Sequence, residues 1–141
     1  MEETRRIWYK PNVKYWLAGD AVFKTELRPK HNIKTKFIDL GTDGWMTVRE
    51  GFAWDGPSGP TADTPDVIRG SLMHDAAYEL MRQGLLDTEG DRQLAAAELK
   101  RIMLDDGAAP VRSQIWYDML RKFGAKNAIP EYAKAPICAP R

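Results

Sequence analysis

The alternation of apolar and polar positions changes character once along the chain, close to residue 64. Before that point, aromatic and β-branched residues are separated by Gly, Pro, Asn and Asp, which is typical of short strands joined by turns. The pattern predicts strands over 13–18, 21–27, 34–40 and 45–50. Because their connections are short, we expect neighbouring strands to pair antiparallel in one small meander.

Beyond Thr64 the apolar positions recur about every 3.6 residues, which predicts helices. Thr64 is placed to cap the first helix, with Pro65 at its first position and Gly84 just past its end. A second helix is predicted over 88–106 and a third over 110–124. The third carries an apolar stripe of Val111, Ile115, Met119, Leu120 and Phe123.

Strands followed by helices predict an α+β fold, with a small antiparallel β-sheet at the N-terminus and three α-helices after it. A chain of 141 residues is long enough for one hydrophobic core, so we expect a single domain over 1–124. Residues 125–141 are rich in Pro and Ala without any period, and we interpret them as a C-terminal tail.

Composition argues against several classes of protein. The 21 Lys and Arg residues against 20 Asp and Glu leave a formal net charge of +1, which provides no strong field for binding nucleic acid. The first residues lack the apolar stretch of a signal peptide, and charged residues interrupt every apolar run before it reaches the length of a transmembrane segment. With Cys138 as the one cysteine, no disulfide can form within the chain, so we expect a cytosolic rather than a secreted setting.

The segment 51–65 joins the predicted strands to the helices and is too long for a simple turn. It holds several Gly and Pro residues together with the bulky Phe52 and Trp54, and we expect it to be ordered. Loops of this length in compact domains are commonly functional, which makes the segment a candidate part of a binding site. The alternative is a rigid connection with no further role.

His74 and Tyr78 are four residues apart in the first predicted helix and therefore lie on one face of it. Asp75 is turned about 100° away and can point at a different neighbour. This arrangement allows a general base on one face and a cation ligand on the adjacent face. The alternative is a structural role, because a His-Asp dipeptide is common and one histidine makes a poor metal site.

Asp91, in the first turn of the second predicted helix, is a candidate partner of His74. The short connection makes the two helices pack antiparallel, which places Asp91 roughly level with His74. A hydrogen bond from one imidazole nitrogen to Asp91 or Asp87 would leave the other nitrogen able to take a proton from water. Alternatively, Asp91 only stabilises the helix N-terminus and Arg92 is solvated.

Three motifs, in this order, resemble those of a family of small uncharacterised proteins common in bacteriophages and prophages. The motifs are Gly51-Phe52-x-x-Asp55-Gly56-x-Ser58-x-Pro60, His74-Asp75-x-x-Tyr78 and Asp91-Arg92. The resemblance covers roughly residues 12–124. It implies a bacteriophage setting, in the host cytoplasm or in the phage particle, with phage structural proteins as candidate partners.

The region from Trp54 to about residue 95 also resembles the active site of phospholipase A2, including the disulfide-free domain of parvovirus capsids. This resemblance implies a catalytic group in which His74 activates water, Asp91 orients the imidazole and Tyr78 braces the pocket. It predicts hydrolysis of an ester without a covalent nucleophile.

The same resemblance implies calcium as a cofactor. Its ligands would be the Asp75 carboxylate and the backbone carbonyl groups of Trp54, Gly56 and Ser58. Calcium binds six to eight hard oxygens, which such a loop, one carboxylate and waters can supply. The chain departs from the phospholipase pattern in having Ser58 where glycine is usual.

These observations lead to three hypotheses on function. The first is a calcium-assisted hydrolase that cleaves an ester such as a phospholipid, with a phospholipid or membrane surface as its partner. The second is a non-enzymatic virion or assembly protein in which the His-Asp motif is structural. The third is a lysis-associated hydrolase of cell-wall material, which uses the same site on another substrate.

Overall fold

The structure, a computed structural model, describes residues 1–7, 9–10, 15–56 and 64–123. The described residues fall into two compact units, the first ending at Asp55 and the second beginning at Gly56. The strands belong to the first unit and three helices to the second, which confirms the predicted α+β class. The single domain over 1–124 stays a prediction.

Within the described part of the chain, the first unit contains seven short strands. They are β1 (Tyr9–Lys10), β2 (Tyr15–Leu17), β3 (Ala21–Lys24), β4 (Ile33–Lys34), β5 (Ile38–Leu40), β6 (Trp45–Val48) and β7 (Ala53–Trp54). All pairs are antiparallel, but they form two sheets, in the orders β1-β2-β7 and β3-β6-β5-β4. The expected single meander is therefore wrong.

The division into two sheets has a local cause. The chain around Gly19 and Asp20 does not form a hairpin, because β3 pairs with β6, while β2 pairs with β1 and β7. The segment predicted as one strand over 34–40 is also interrupted, since the Thr35 backbone N–H donates to the Ile38 carbonyl over 2.9 Å and closes a turn between β4 and β5. Two-residue strands such as β1 and β7 are too short to show a period in the sequence.

Alternation within the longer strands builds the core of the first unit. Ala21 and Phe23 in β3, and Met46 and Val48 in β6, are fully buried, while the residues between them are partly exposed. Burial thus alternates with a period of two along these strands, so the four-stranded sheet packs one face against the core.

The helices of the second unit are α1 (Pro65–Arg82), α2 (Gly90–Asp105) and α3 (Pro110–Phe123). Thr64 stands at the predicted cap position with Pro65 first in the helix, but the Thr64 side chain makes no capping bond to the backbone. Gly84 ends α1 as predicted, with a left-handed φ of 75° and a 2.9 Å hydrogen bond from its N–H to the Met81 carbonyl.

The helices pack in sequence, α1 against α2 and α2 against α3. A buried cluster joins all three and consists of Val67, Leu99, Met103, Ala108 and Trp116. The predicted stripe of α3 is partly wrong, because Val111 and Ile115 are 72% and 47% exposed while Trp116 is buried. Trp116 follows Ile115 by one position, which turns the buried face of α3 by about 100°.

Nearly every side of α1 is buried, so polar residues on this helix lie among apolar ones. Arg69, Ser71, His74 and Glu79 are all buried members of α1. In the described part of the molecule, no helix combines the length and the apolar character that a membrane crossing needs. Because buried polar side chains are uncommon, those of α1 are candidates for a functional site.

Candidate functional site

His74 and Tyr78 form a stacked pair in the middle of α1. Their ring centroids are 4.1 Å apart with planes inclined by 35°, as the spacing of four residues on one helix face requires. Both are almost fully buried, His74 being 6% and Tyr78 3% exposed. The structure thus brings together two of the predicted site residues.

The two nitrogens of His74 differ in their surroundings. Nδ1 lies 3.7 Å from Oδ1 of Asp75, which is too long for a direct hydrogen bond but close enough for electrostatic attraction. Nε2 is buried and has no hydrogen-bond partner within the ranges that the structure describes. Because a buried polar atom without a partner is costly, Nε2 is a candidate acceptor for a hydrogen bond from a ligand or water.

Asp75 is more accessible than its neighbours, with a side chain that is 29% exposed. Its carboxylate faces both the imidazole of His74 and, through its charge, the hydroxyl of Tyr78. The predicted cation ligand therefore belongs to the same cluster as the predicted base, on the side that reaches solvent.

The hydroxyl of Tyr78 is also buried without a hydrogen-bond partner among the described residues. Burial raises the pKa of this phenol above its ordinary value, and the carboxylate of Asp75 adds to the rise. The guanidinium of Arg92 lowers the pKa through its charge and a hydrogen-bonding interaction with the phenol oxygen, and the charge of Arg82 lowers it further, which offsets part of the rise. Tyr78 is thus a protonated donor with positive charge nearby.

Arg92 is the member of the cluster that sequence reasoning missed. It is half-buried near the start of α2, and its Nη1 donates to the backbone carbonyls of Leu120 at 3.3 Å and Arg121 at 3.1 Å. The prediction that Arg92 is solvated is therefore wrong. Arg92 lies near Tyr78 because of how α2 packs on α1, which the sequence does not show. The one sequence feature that pointed to Arg92 was its place beside Asp91.

The carboxylate of Asp91 bonds to the turn that precedes α2. One oxygen of its carboxylate accepts a 3.1 Å hydrogen bond from the backbone N–H of Asp87, and the Asp87 carboxylate accepts one of 2.9 Å from the N–H of Gly90. Burial raises the pKa of Asp91, and the charge of Asp87 adds to the rise. These bonds tie Asp91 into the turn before α2, and the carboxylate that faces the imidazole is that of Asp75.

The predicted calcium ligands do not form one observable set. Trp54 lies in β7 of the first unit, 1% exposed and with its ring centroid 5.4 Å from that of Tyr15. Gly56 and Asp75 belong to the second unit, and Ser58 lies outside the described residues.

The described residues also hold no group of three or more His, Cys, Asp or Glu side chains that could bind a metal. Asp75 is thus the one predicted carboxylate ligand, whereas calcium takes six to eight oxygens. The donors described here do not by themselves fit calcium, and calcium stays a prediction that rests on the resemblance.

No protein-family model, no curated protein and no solved structure matches the chain. The resemblances to the bacteriophage family and to phospholipase A2 therefore rest on the quoted motifs alone. What the protein does has to be argued from the His74 cluster itself, meaning His74, Asp75, Tyr78 and Arg92.

Proposed function

We propose that the protein is a phage-associated hydrolase in which His74 activates a water molecule for attack on an ester. One observation carries the proposal: a buried imidazole with a carboxylate beside Nδ1 and an unpartnered Nε2. This is the arrangement that a general base requires, because one nitrogen must be held so that the other can accept a proton.

Asp75 is the residue that would hold the imidazole. Its carboxylate near Nδ1 favours the proton on that nitrogen, which leaves the Nε2 lone pair directed toward water. The carboxylate also stabilises the imidazolium that forms when Nε2 takes the proton. In this proposal Asp75 takes the orienting role that the sequence analysis gave to Asp91.

The unpartnered atoms favour a working site over a packing role. A buried polar atom without a hydrogen bond costs about 1–3 kcal/mol, and the stacked pair carries two of them, Nε2 of His74 and the hydroxyl of Tyr78. Marginally stable proteins keep such costs mainly where function needs them. The pair is therefore better suited to receive a substrate or water than to fill the core.

The substrate class follows from the resemblance rather than from the cluster. An ester such as that of a phospholipid fits a base that activates water without a covalent nucleophile. The resemblance also predicts calcium, which would supply a Lewis acid for the ester carbonyl, and Asp75 is the described carboxylate that would hold it. If calcium binds there, millimolar calcium will raise the melting temperature, Asp75→Asn will abolish that rise, and magnesium serves as the control ion.

A second function is favoured by the deep burial of His74, which is only 6% exposed. In a non-enzymatic virion or assembly protein, the stacked pair would be part of the packing of α1. That reading predicts that replacing His74 unfolds the protein, whereas the hydrolase proposal predicts loss of activity in a folded protein.

The test compares two histidine variants, because the sequence contains two histidines and His31 is exposed in a turn. We expect His74→Gln to reduce ester release from mixed phospholipid vesicles by at least about a hundredfold, with a nearly unchanged melting temperature. His31→Gln, the matched control, should hydrolyse at the parent rate. Cell-wall material assayed in parallel separates the lysis-associated alternative by its substrate.

Two outcomes would contradict the proposal. The first is equal hydrolysis by the parent and His74→Gln. The second is a parent that hydrolyses none of these substrates, together with a His74→Gln variant that melts far below it, which would establish the packing role.

A further inference from the structure

The activation of water by His74 uses neither the Tyr78 hydroxyl nor Arg92. We infer that they form an oxyanion-binding subsite beside His74, which holds the negatively charged oxygen formed during ester hydrolysis and the carboxylate of the product. The inference deepens the proposed function and rests on it for the identity of the reaction.

The buried hydroxyl of Tyr78 is a free donor for such an oxygen. Tyr78 is 3% exposed, and its O–H, which can donate a hydrogen bond, has no acceptor within the described ranges. Its ring stacks on that of His74 with 4.1 Å between centroids, so the hydroxyl and the proposed base belong to one buried pair. A donor held in advance, away from water, is what stabilises a developing oxyanion most strongly.

Positive charge also surrounds that hydroxyl. The charged groups that act on Tyr78 are Arg92, Arg82 and Asp75. Arg82 is bonded to the buried carboxylate of Glu79 at 3.3 Å, which largely cancels its charge. The hydrogen bonds of Arg92 go to neutral backbone carbonyls, so its positive charge stays available for an anion, and it offsets that of Asp75.

The chemical step then balances without any further reactant. Nε2 of His74 takes a proton from water as the water oxygen forms a bond to the ester carbon, and the carbonyl electron pair moves onto the carbonyl oxygen. Tyr78 and Arg92 hold that oxyanion. When the pair returns, the bond to the alkoxy group breaks, and the leaving oxygen takes the proton from the imidazolium, giving an acid and an alcohol.

Binding is tested directly with butyrate as the anion, and with butanol as an uncharged control of the same chain length. The chain contains five tyrosines, and in protein labelled at the tyrosine Cζ carbons the Tyr78 signal is the one that Tyr78→Phe removes. We expect butyrate, but neither butanol nor chloride at equal ionic strength, to shift this signal in a saturable way. Arg92→Gln should weaken butyrate binding about tenfold or more.

Kinetics provide the second readout. Tyr78→Phe should lower kcat by roughly a hundredfold with KM little changed, because the hydroxyl acts on the oxyanion and not on the ground-state ester. Arg92 also bonds to α3, so Arg92→Lys is included as a variant that keeps the charge in case Arg92→Gln does not fold. It should bind butyrate more tightly than Arg92→Gln.

The outcomes separate this inference from the proposed function. Butyrate binding that depends on Arg92, in a protein without hydrolysis, would support the subsite and overturn the hydrolase. Hydrolysis that depends on His74, with a Tyr78 signal that butyrate leaves unmoved, or with parent kcat in Tyr78→Phe, would overturn the subsite and leave the hydrolase standing.

Discussion

The two halves of α1 are equally buried but, apart from the Glu79–Arg82 ion pair in the second half, they treat their polar groups in opposite ways. In the first half, Arg69 makes a two-point ion pair with Asp106 at the end of α2, through Nε at 3.1 Å and Nη2 at 2.9 Å. Asp66 accepts hydrogen bonds from Thr64 and from Arg112 of α3. In the second half, His74 and Tyr78 each present a buried polar atom without a partner in the described structure.

This difference separates what holds the second unit together from what it offers to a ligand. Paired buried charges fix the contacts of α1 with its neighbours, and removing one partner of such a pair is strongly destabilising. Unpaired buried atoms lower stability and leave room for a new bond. Substitutions at Asp66 and Arg69 should therefore change mainly stability, and those at His74 and Tyr78 mainly activity.

The largest effect is expected in the first half. Arg69→Met leaves the Asp106 carboxylate without its partner, and the free energy of unfolding should fall by about 3 kcal/mol or more, measured by urea denaturation. Hydrolysis by the folded fraction should stay at the parent level. The double variant Arg69→Met, Asp106→Leu should be less unstable than the sum of the single variants, and strict additivity would show that the pair contributes nothing.

The opposite sign is expected in the second half. Tyr78→Phe removes a buried unpaired hydroxyl and conserves the ring, so the free energy of unfolding should rise by about 1 kcal/mol while hydrolysis falls. Tyr117→Phe, a partly exposed control on α3, should change stability by less than about 0.5 kcal/mol. A Tyr78→Phe variant less stable than the parent would show that the hydroxyl is bonded in solution.

A smaller effect depends on pH and concerns Asp66. Burial alone would raise the pKa of this carboxyl, but the hydrogen bonds from Thr64 and Arg112 outweigh it and hold the pKa below its ordinary value of 3.8. The ionised form is therefore favoured by folding, and its contribution is complete above pH 3.8 and lost as pH falls through the folded pKa.

Asp66→Asn should consequently be less stable than the parent at neutral pH, by about 0.5 kcal/mol. The two stability curves should converge as the solution becomes more acidic than the folded pKa. Urea denaturation at a series of pH values measures the gap, and a gap that widens in acid would contradict this assignment.

The smallest effect is expected at Asp91. Because burial and the charge of Asp87 raise its pKa, the ionised form is disfavoured by folding, and this cost grows as pH rises through the folded pKa. Asp91→Asn keeps an oxygen that can accept from the Asp87 N–H, so stability at neutral pH should rise by a few tenths of a kcal/mol. Hydrolysis should be unchanged, and a loss like that of His74→Gln would restore the orienting role that the sequence suggested.

Local signals account for what the sequence could predict of the fold. The end of α1 was predictable because Gly84 adopts the left-handed conformation that helix ends favour. The face of α3 was not, since Val111 and Ile115 have the period of a buried stripe while Trp116 is the residue that packs. Which of two neighbouring faces of α3 is buried depends on the position of α2, and a local sequence pattern contains no information on that position.

The candidate site likewise contains a part that the sequence could predict and a part that it could not. The stacking of His74 on Tyr78 follows from their spacing within one helix, so sequence alone placed them together. The position of Arg92, and the turn that binds Asp91 to Asp87, depend on the connection between α1 and α2. The spacing of residues within one helix contains no information on either, so the role of Asp91 toward the imidazole stays a prediction.

The two hydrogen bonds from Arg92 to the carbonyls of Leu120 and Arg121 have a consequence for α3. Those oxygens belong to the last turn of α3, where a helix has no internal donors to offer them. One guanidinium therefore holds the closing turn of α3 and, in the proposed subsite, also the bound anion. By reciprocal linkage, whatever effect the anion has on the order of that turn, the order of the turn has the same effect, in free energy, on the binding of the anion.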